Sequence, residues 1–532
     1  MKFAALALLL AFAGAPALAD PVTIPVAAAP GTETPVSGRL IVFAQRVDPG
    51  APPQDQVDSS PFHPTDTAVA AREVEALAPG LVAIVDGETD AFPIAFSKLP
   101  PGTYRLQAVL DRNHDYNYGG RGPGDLLSPV IEAHLPGPLP TLTLSNMVAE
   151  PGLDAMLARL PEAERAAARA AYEAARPVDF VSPSLSAFWG RPIHMRGWIA
   201  LPPGYKPNGP TFPVVYWTHG YGGTLASARA TAARAIQQMA AGRWAPMIWV
   251  CLDESSPTGT HEFADSVNNG PWGHALTAEL IPWLERNYRM DARPKGRFLT
   301  GHSSGGWATL WLQTRYPAIF GGTWSTSPDP SDFHSFTNVD LYAPNANVYR
   351  EPDGTETPLV RDHGTLIATI RQFAKLEQVI GPYGGQFASF EWVFSPKGPD
   401  GRPEPLFDRT TGAVDPDVAA YWRDHYDIAR RLEHDWPALR RDLDGKIHLI
   451  VGTADTFYLD GPAHRLKAVL DRLGAHASVT FLPGRTHFDL FRQPGDPMGL
   501  MRDITWEMYA VARPGARRPA EASAPPAASQ RR

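Results

Sequence analysis

The sequence predicts an α/β architecture, a mainly parallel sheet with helices on both faces, preceded by a small β-sandwich. Three observations carry this. From about residue 179 onward, short apolar runs end in polar, often Gly-rich loops, and helical stretches lie between several of them. Before residue 148 the runs are β-rich and broken by Pro and Gly, with no long helical pattern. The length of 532 residues exceeds what one hydrophobic core usually supports.

The elements follow in chain order. MKFAALALLLAFAGAPALAD carries one Lys, an apolar stretch too short to span a bilayer comfortably, and Ala17-Leu18-Ala19 as a small-residue cleavage site, so residues 1–19 read as a secretory signal. Export to the periplasm or beyond the cell is therefore expected. Gly14 and Pro16 argue against the alternative of a retained anchor helix, and no later segment is long and apolar enough to cross a membrane. Cys251 is the only cysteine, which excludes a disulfide within the chain, and neither a Cys cluster nor HExxH offers a zinc site. The net charge of −8, with both signs mixed along the chain, argues against nucleic acid as a partner.

Residues 20–148, with GRLIVFAQR, LVAIVDG and TYRLQAVLD, form the expected β-sandwich. Near its end, DRNHDYNYGG places Asp111, Asn113, Asp115 and Asn117 at alternate positions, the spacing of oxygen ligands in a calcium loop. Gly122 stands where an EF-hand has its closing Glu, and an Asx-rich turn is the alternative. A structural calcium there is the one cofactor the sequence suggests, and none is required for the chemistry below. Residues 149–178 are Ala-rich and read as a helical linker. The α/β unit then spans 179–512, with an aromatic and turn-rich insertion at about 330–440. The tail 513–532 is too poor in apolar residues to pack and is expected to be disordered.

The chemistry centres on GRFLTGHSSGGWATLWLQTRYP. An apolar run precedes Gly301, a helical pattern follows Ser303 and stops at Pro317, and Gly301 and Gly305 flank the serine where Cβ atoms would collide in a tight turn. A serine hydroxyl attacks little at neutral pH without a base, so a histidine and an acid must follow. Asp455 ends the run IHLIVG in GTAD, and His487 ends SVTFLPGRTH. The order Ser303, Asp455, His487 is the one used by α/β hydrolases. Asp460 in TFYLDG is the rival acid, and His476 is a poorer rival base because it precedes its strand. HGYGG, after the run PVVYWT, supplies an oxyanion loop, which assigns the hole to the backbone N–H groups of Tyr221 and Ser304. Each residue alone has a plain alternative, such as a helix cap for Ser303 or an Asx turn for Asp455. Trp272, His302 and Trp307 are candidates for the substrate pocket, with ordinary core packing as the competing reading.

From WIALPPGY through HGYGG, DSVNNGPWGHALTAELIPWLERNY, GHSSGGWATLWLQTRYPAIFGGTWSTSP, GTAD and RTH, the chain resembles the Putative esterase family of α/β hydrolases. That family includes esterase D-like formylglutathione hydrolases, siderophore and feruloyl esterases and mycolyltransferases. The resemblance covers about 180–330 and 440–510 and implies a serine-dependent ester hydrolase, with Ser303, Asp455 and His487 at the triad motifs. Two departures stand out: the long span between Ser303 and Asp455, which implies a remodelled pocket, and GRTH, one residue longer than the common G-x-H. A small-molecule or polymer-linked ester is the expected substrate. Acyl transfer, peptide hydrolysis and non-catalytic glycan binding are the alternatives, and the oligomeric state is left open.

Overall fold

The computed structural model describes residues 21–32, 35–516 and 518; the expected secretory signal and most of the expected disordered tail lie outside them. The largest sheet has eight strands in the order Arg176–Val181, His194–Ala200, Ile248–Leu252, Val214–Thr218, Arg297–His302, Gly322–Thr326, Ile447–Gly452, Ser478–Leu482. The first two strands join by antiparallel pairing, and every later pair is parallel. Its central strands are β-branched and aromatic and buried along their length, as parallel strands covered on both faces must be. One face packs Ala228, Ala232 and Ala235 of the helix Leu225–Ala240 with Met508 of the helix Gly499–Ala512. The other packs Leu276, Leu280 and Leu284. The α/β-hydrolase fold is thus built with all parallel strands ending at one edge, where the loops meet.

Ahead of this sheet stands an antiparallel sheet domain. Val36–Arg46, Thr67–Leu77 and Gly102–Asp111 form its centre, and a three-stranded sheet containing Thr23–Ala28 lies across one face. Strand alternation explains the packing: Leu40, Val42 and Ala44 face the small sheet, whereas Ile41 and Phe43 face the other way. That second face is also covered, by Leu376 and Ile380 of the helix Ile370–Ile380. The domain is therefore clasped by a helix that departs from the hydrolase sheet much later in the chain.

The segment between Gly322–Thr326 and Ile447–Gly452 holds that helix, three others (Gln386–Phe394, Pro416–His425, Ile428–Leu443) and a hairpin. Its aromatics pack into one core with the hydrolase sheet, whose Leu449 and Val451 join the same cluster. Phe333, Phe336, Phe390, Phe394 and Trp422 are buried against one another with ring centroids 5.2–5.9 Å apart. The Ala-rich stretch forms Leu153–Leu157 and Glu162–Ala174, separated at Pro161, and the longer helix lies on Leu225–Ala240. No helix among the described residues is long and apolar enough to cross a membrane.

Candidate active site

The strand Arg297–His302 turns into the helix Ser304–Arg315 at Ser303, whose φ of 61° and ψ of −128° lie in a region L residues avoid. The strain is held from three sides. Ser303 donates its N–H to Thr326 O at 3.1 Å, and its carbonyl accepts from Trp307 N–H at 3.0 Å and Asp329 N–H at 3.2 Å. The glycines are steric necessities here: a Cβ on Gly301 would sit 2.2 Å from Gly305 O, and one on Gly305 2.3 Å from His219 O.

Asp455 lies beyond the strand Ile447–Gly452, fully buried. Its Oδ2 is 3.0 Å from His487 Nδ1, and its Oδ1 accepts the N–H groups of Phe457 at 3.0 Å and Leu459 at 3.4 Å. Burial by itself would raise the Asp455 pKa, yet the His487 ring and the amide donors hold it below the usual carboxylate range. The His487 ring is itself buried, with His302 packed against it at 4.3 Å and the Phe457 ring edge-on at 4.9 Å. Asp460, the rival acid, is instead paired with Arg361 at 2.7 Å. His476 pairs with Asp444 on the surface.

Among the described residues Ser303 Oγ and His487 share no hydrogen bond within 3.5 Å. Asp329 lies beside the serine: its Oδ2 accepts from Ser304 Oγ at 2.5 Å. Burial pushes the Asp329 pKa up to about 6, opposed by the Ser304 hydroxyl, His487 and the Ser303 hydroxyl. Contacts between a nucleophile and its base often tighten only with substrate in place.

The loop 219–223 crosses above the elbow. A Cβ on Gly220 would meet His302 O at 2.9 Å and Ser303 Cβ at 3.0 Å, so this backbone and the Ser303 side chain are as close as glycine permits. Among the described residues the amides of Tyr221 and Ser304 have no acceptor in the protein, which leaves them available to an incoming oxyanion. His219 at the loop's start is buried, with Nε2 3.0 Å from Asp253 Oδ1. Behind it lie Glu254 and Glu262, both fully buried. Among the described residues neither Glu254 carboxylate oxygen has a hydrogen-bond partner, nor has Glu262 Oε2. Burial pushes the Glu254 pKa up to about 8, and Glu262 well above its ordinary value with Asp329 and Glu254 adding repulsion. Nothing in the spacing of LDESSPTGTHEFADS signals that these acids are interior.

The pocket candidates divide. Trp272 stacks on His261 at 3.6 Å and lines an open cleft of about 760 Å³ together with Tyr118, Trp189, Tyr383 and Trp392. His302 lies beside His487 rather than in a cleft; burial and the neighbouring His487 depress its pKa to about 3, so it is neutral. Trp307 is a correction: it is fully buried between Trp311 at 5.3 Å and Phe394 at 4.8 Å, because the first turn of its helix points into the insertion's aromatic core.

Of the calcium candidates, the two acids are brought together with a third that the spacing did not single out. Asp111 and Asp115 do come together, but their partner is Asp125, with one oxygen from each within 4.8 Å of the others. Asn113 Nδ2 donates to Pro123 O, and Asn117 Nδ2 to Glu377 O and Gly381 O, because the short helix Tyr116–Gly119 turns Asn117 toward the insertion. Asp111 already accepts the amides of Asn113, Asp115 and Tyr116, and Asp125 those of Arg112 and Gly122. Asp111 and Asp125 thus tie the turn through its amides, whereas the buried Asp115 Oδ1 has no hydrogen-bond partner among the described residues.

A family described as Putative esterase matches residues 187–468, more than half of the chain. The match includes Ser303 and Asp455 and ends before His487. Two esterases from Mycobacterium tuberculosis strains (CDC 1551 / Oshkosh and ATCC 25618 / H37Rv) are each 33% identical over 131 residues, 24% of this chain and 28% of theirs. The match thus spans little more than a quarter of those relatives. Similar solved structures include an S-formylglutathione hydrolase from Agrobacterium tumefaciens (14% identity, 63% of this chain and 95% of that one, TM-score 0.37). A ferulic acid esterase from Anaeromyces mucronatus is another (14% identity, 62% and 89%, TM-score 0.33).

Proposed function

The chain belongs to the Putative esterase family, and from that premise we propose that this carboxylic ester hydrolase works through an acyl-enzyme on Ser303. The observation that carries the proposal is the buried Asp455–His487 pair at 3.0 Å, beside a serine held at φ 61° on a strand-to-helix elbow. Asp455 stays ionised, accepts the Nδ1–H of His487 and so leaves Nε2 as the base. In the first step Nε2 takes the Ser303 proton while Oγ bonds to the ester carbonyl carbon. The carbonyl oxygen becomes an oxyanion and accepts from the Tyr221 and Ser304 amides. His487 then returns the proton to the departing alcohol as the C–O bond breaks. A water, deprotonated by the same nitrogen, releases the acid and restores the hydroxyl.

Two features support the finer reading of where and on what it acts. The first residues have the pattern of a secretory signal, which favours an exported enzyme. The family resemblance favours small-molecule or polymer-linked esters as substrates; the cleft that holds Trp272 is lined by none of Ser303, Ser304, Asp455 and His487 and does not narrow the class. The test is hydrolysis of p-nitrophenyl acetate and butyrate with rapid-mixing detection of p-nitrophenol. A burst of one equivalent is expected when deacylation limits, and Ser303→Ala lowers kcat by about three orders of magnitude or more. A Ser303→Ala protein that keeps the wild-type rate would refute the acyl-enzyme.

A further inference from the structure

The oxyanion loop is fastened by residues that do not belong to the hydrolase sheet. Tyr118, in the short helix Tyr116–Gly119 at the end of the N-terminal sheet domain, donates its Oη–H to Gly223 O at 2.6 Å. In the opposite direction Tyr221 reaches out of the loop: its Oη contacts Asn117 O at 2.7 Å and also Gly384 O of the insertion. The two phenol rings meet edge to face at 5.0 Å. Gly222, between them, has φ 79°, and a Cβ there would touch Tyr118 O at 3.4 Å. Asn117 also ties the insertion, donating Nδ2–H to Glu377 O at 2.9 Å and Gly381 O at 2.8 Å. Arg39 of the strand Val36–Arg46 holds two further carbonyls, Val379 O at 2.7 Å and Ile380 O at 3.0 Å.

The turn that presents these side chains is itself rigid. The Asp111 carboxylate, 2% exposed, gathers the amides of Asn113, Asp115 and Tyr116. Burial and the neighbouring Glu254 raise the Tyr118 pKa, so its hydroxyl remains a donor across the working pH range.

We infer that the turn Asp111–Gly119 of the N-terminal domain is part of the hydrolytic machinery, with Tyr118 as a positioning residue that fixes the 219–223 loop so that the Tyr221 amide faces the elbow. The inference rests on the oxyanion assignment made above. Tyr118 touches no reacting atom; it acts by preventing the loop from relaxing away from Ser303, which Gly220, Gly222 and Gly223 would otherwise permit.

The test is Tyr118→Phe in the full chain, which deletes one hydroxyl and keeps the ring. Losing an oxyanion donor outright costs about 100-fold or more in kcat, so loosening one is expected to cost about tenfold. KM is expected to stay within about twofold, since the hole acts on the transition state. A trifluoromethyl ketone that forms a hemiketal with Ser303 reads the same hole, and its Ki should rise by the factor by which kcat falls. A merely structural role would lower Tm without moving Ki in step with kcat. Tyr221→Phe removes the reciprocal contact and should give the same pattern, which provides a second variant if the first folds poorly. Unchanged kcat and Ki in either folded variant would overturn the inference while leaving the esterase reading intact. A wild-type protein whose Ser303 fails to react with the ketone would instead overturn the oxyanion reading beneath it.

Discussion

Asp455 and Glu254 follow strands of the same sheet and are equally removed from solvent, yet their charges differ. Asp455 gives one oxygen to His487 and the other to two amides, and its pKa is held down despite burial. Glu254 has no partner for either oxygen among the described residues, and burial drives it up to about 8. At equal burial the donors decide the protonation state, because an ionised carboxylate without hydrogen bonds is too costly in a low dielectric. Asp455 is therefore held as a carboxylate, and Glu254 as a neutral acid beside Asp253, whose own pKa is lowered by its His219 and Ser255 partners despite burial.

The largest expected effect concerns the first acid. Asp455→Asn should keep the fold and lower kcat by about 10⁴, since the amide cannot hold the imidazole in the required tautomer or stabilise its charged form. Glu254→Gln, measured in the same ester assay near pH 7, should leave kcat within about threefold, because an amide replaces an acid that was already neutral. A large loss in Glu254→Gln would show that the second acid is charged in the working enzyme.

A smaller effect distinguishes the two acids by pH. The folded-state pKa of Glu254 lies above its unfolded value, so its stabilising contribution is complete below about pH 4.5 and is lost as the pH rises through about 8. Asp329, raised to about 6, acts with the same sign over a lower window. Asp455 has the opposite sign: its contribution is present above the ordinary aspartate range and is lost only as the pH falls through its lowered pKa. Differential scanning fluorimetry should find the wild-type Tm falling between pH 5 and 8.5 by roughly 2 °C or more relative to Glu254→Gln. Equal slopes would contradict the neutral assignment.

The smallest effect concerns the rival acid. Asp460→Asn, which removes one partner of Arg361, should change kcat by no more than about threefold. A loss approaching that of Asp455→Asn would transfer the triad acid to the neighbouring loop.

How far these features are legible in the sequence follows from their range along the chain. The elbow is local: Gly301, Ser303 and Gly305 declare themselves in five residues, because only glycine fits where a Cβ would come within 2.2 Å or 2.3 Å of a backbone oxygen. The parallel strands are nearly as plain, since runs such as PVVYWT and IHLIVG end where a loop must begin. Asp455 and His487 need only chain order and strand ends, which is why the sequence singles out both members of the 3.0 Å pair. Long-range pairings carry no such mark. Asp125 joins Asp111 and Asp115 through the pairing of neighbouring strands, which an alternating spacing cannot reveal. Trp307 faces the insertion rather than the cleft because the insertion's aromatics pack into one core with this helix, and a helix buried on nearly every side does not tell from its own residues which neighbour each meets. The interior position of Glu254 and the reach of Tyr118 to Gly223 depend on how two folding units meet, and the sequence of either unit is silent on it.

The assignment of Ser303 as the nucleophile, activated by His487 and Asp455, is tested most directly by reaction with a fluorophosphonate followed by peptide mass spectrometry. A single phosphonyl adduct on Ser303, absent in Ser303→Ala and formed far more slowly in Asp455→Asn, is predicted; an adduct on another residue, or labelling that survives Ser303→Ala, would contradict it.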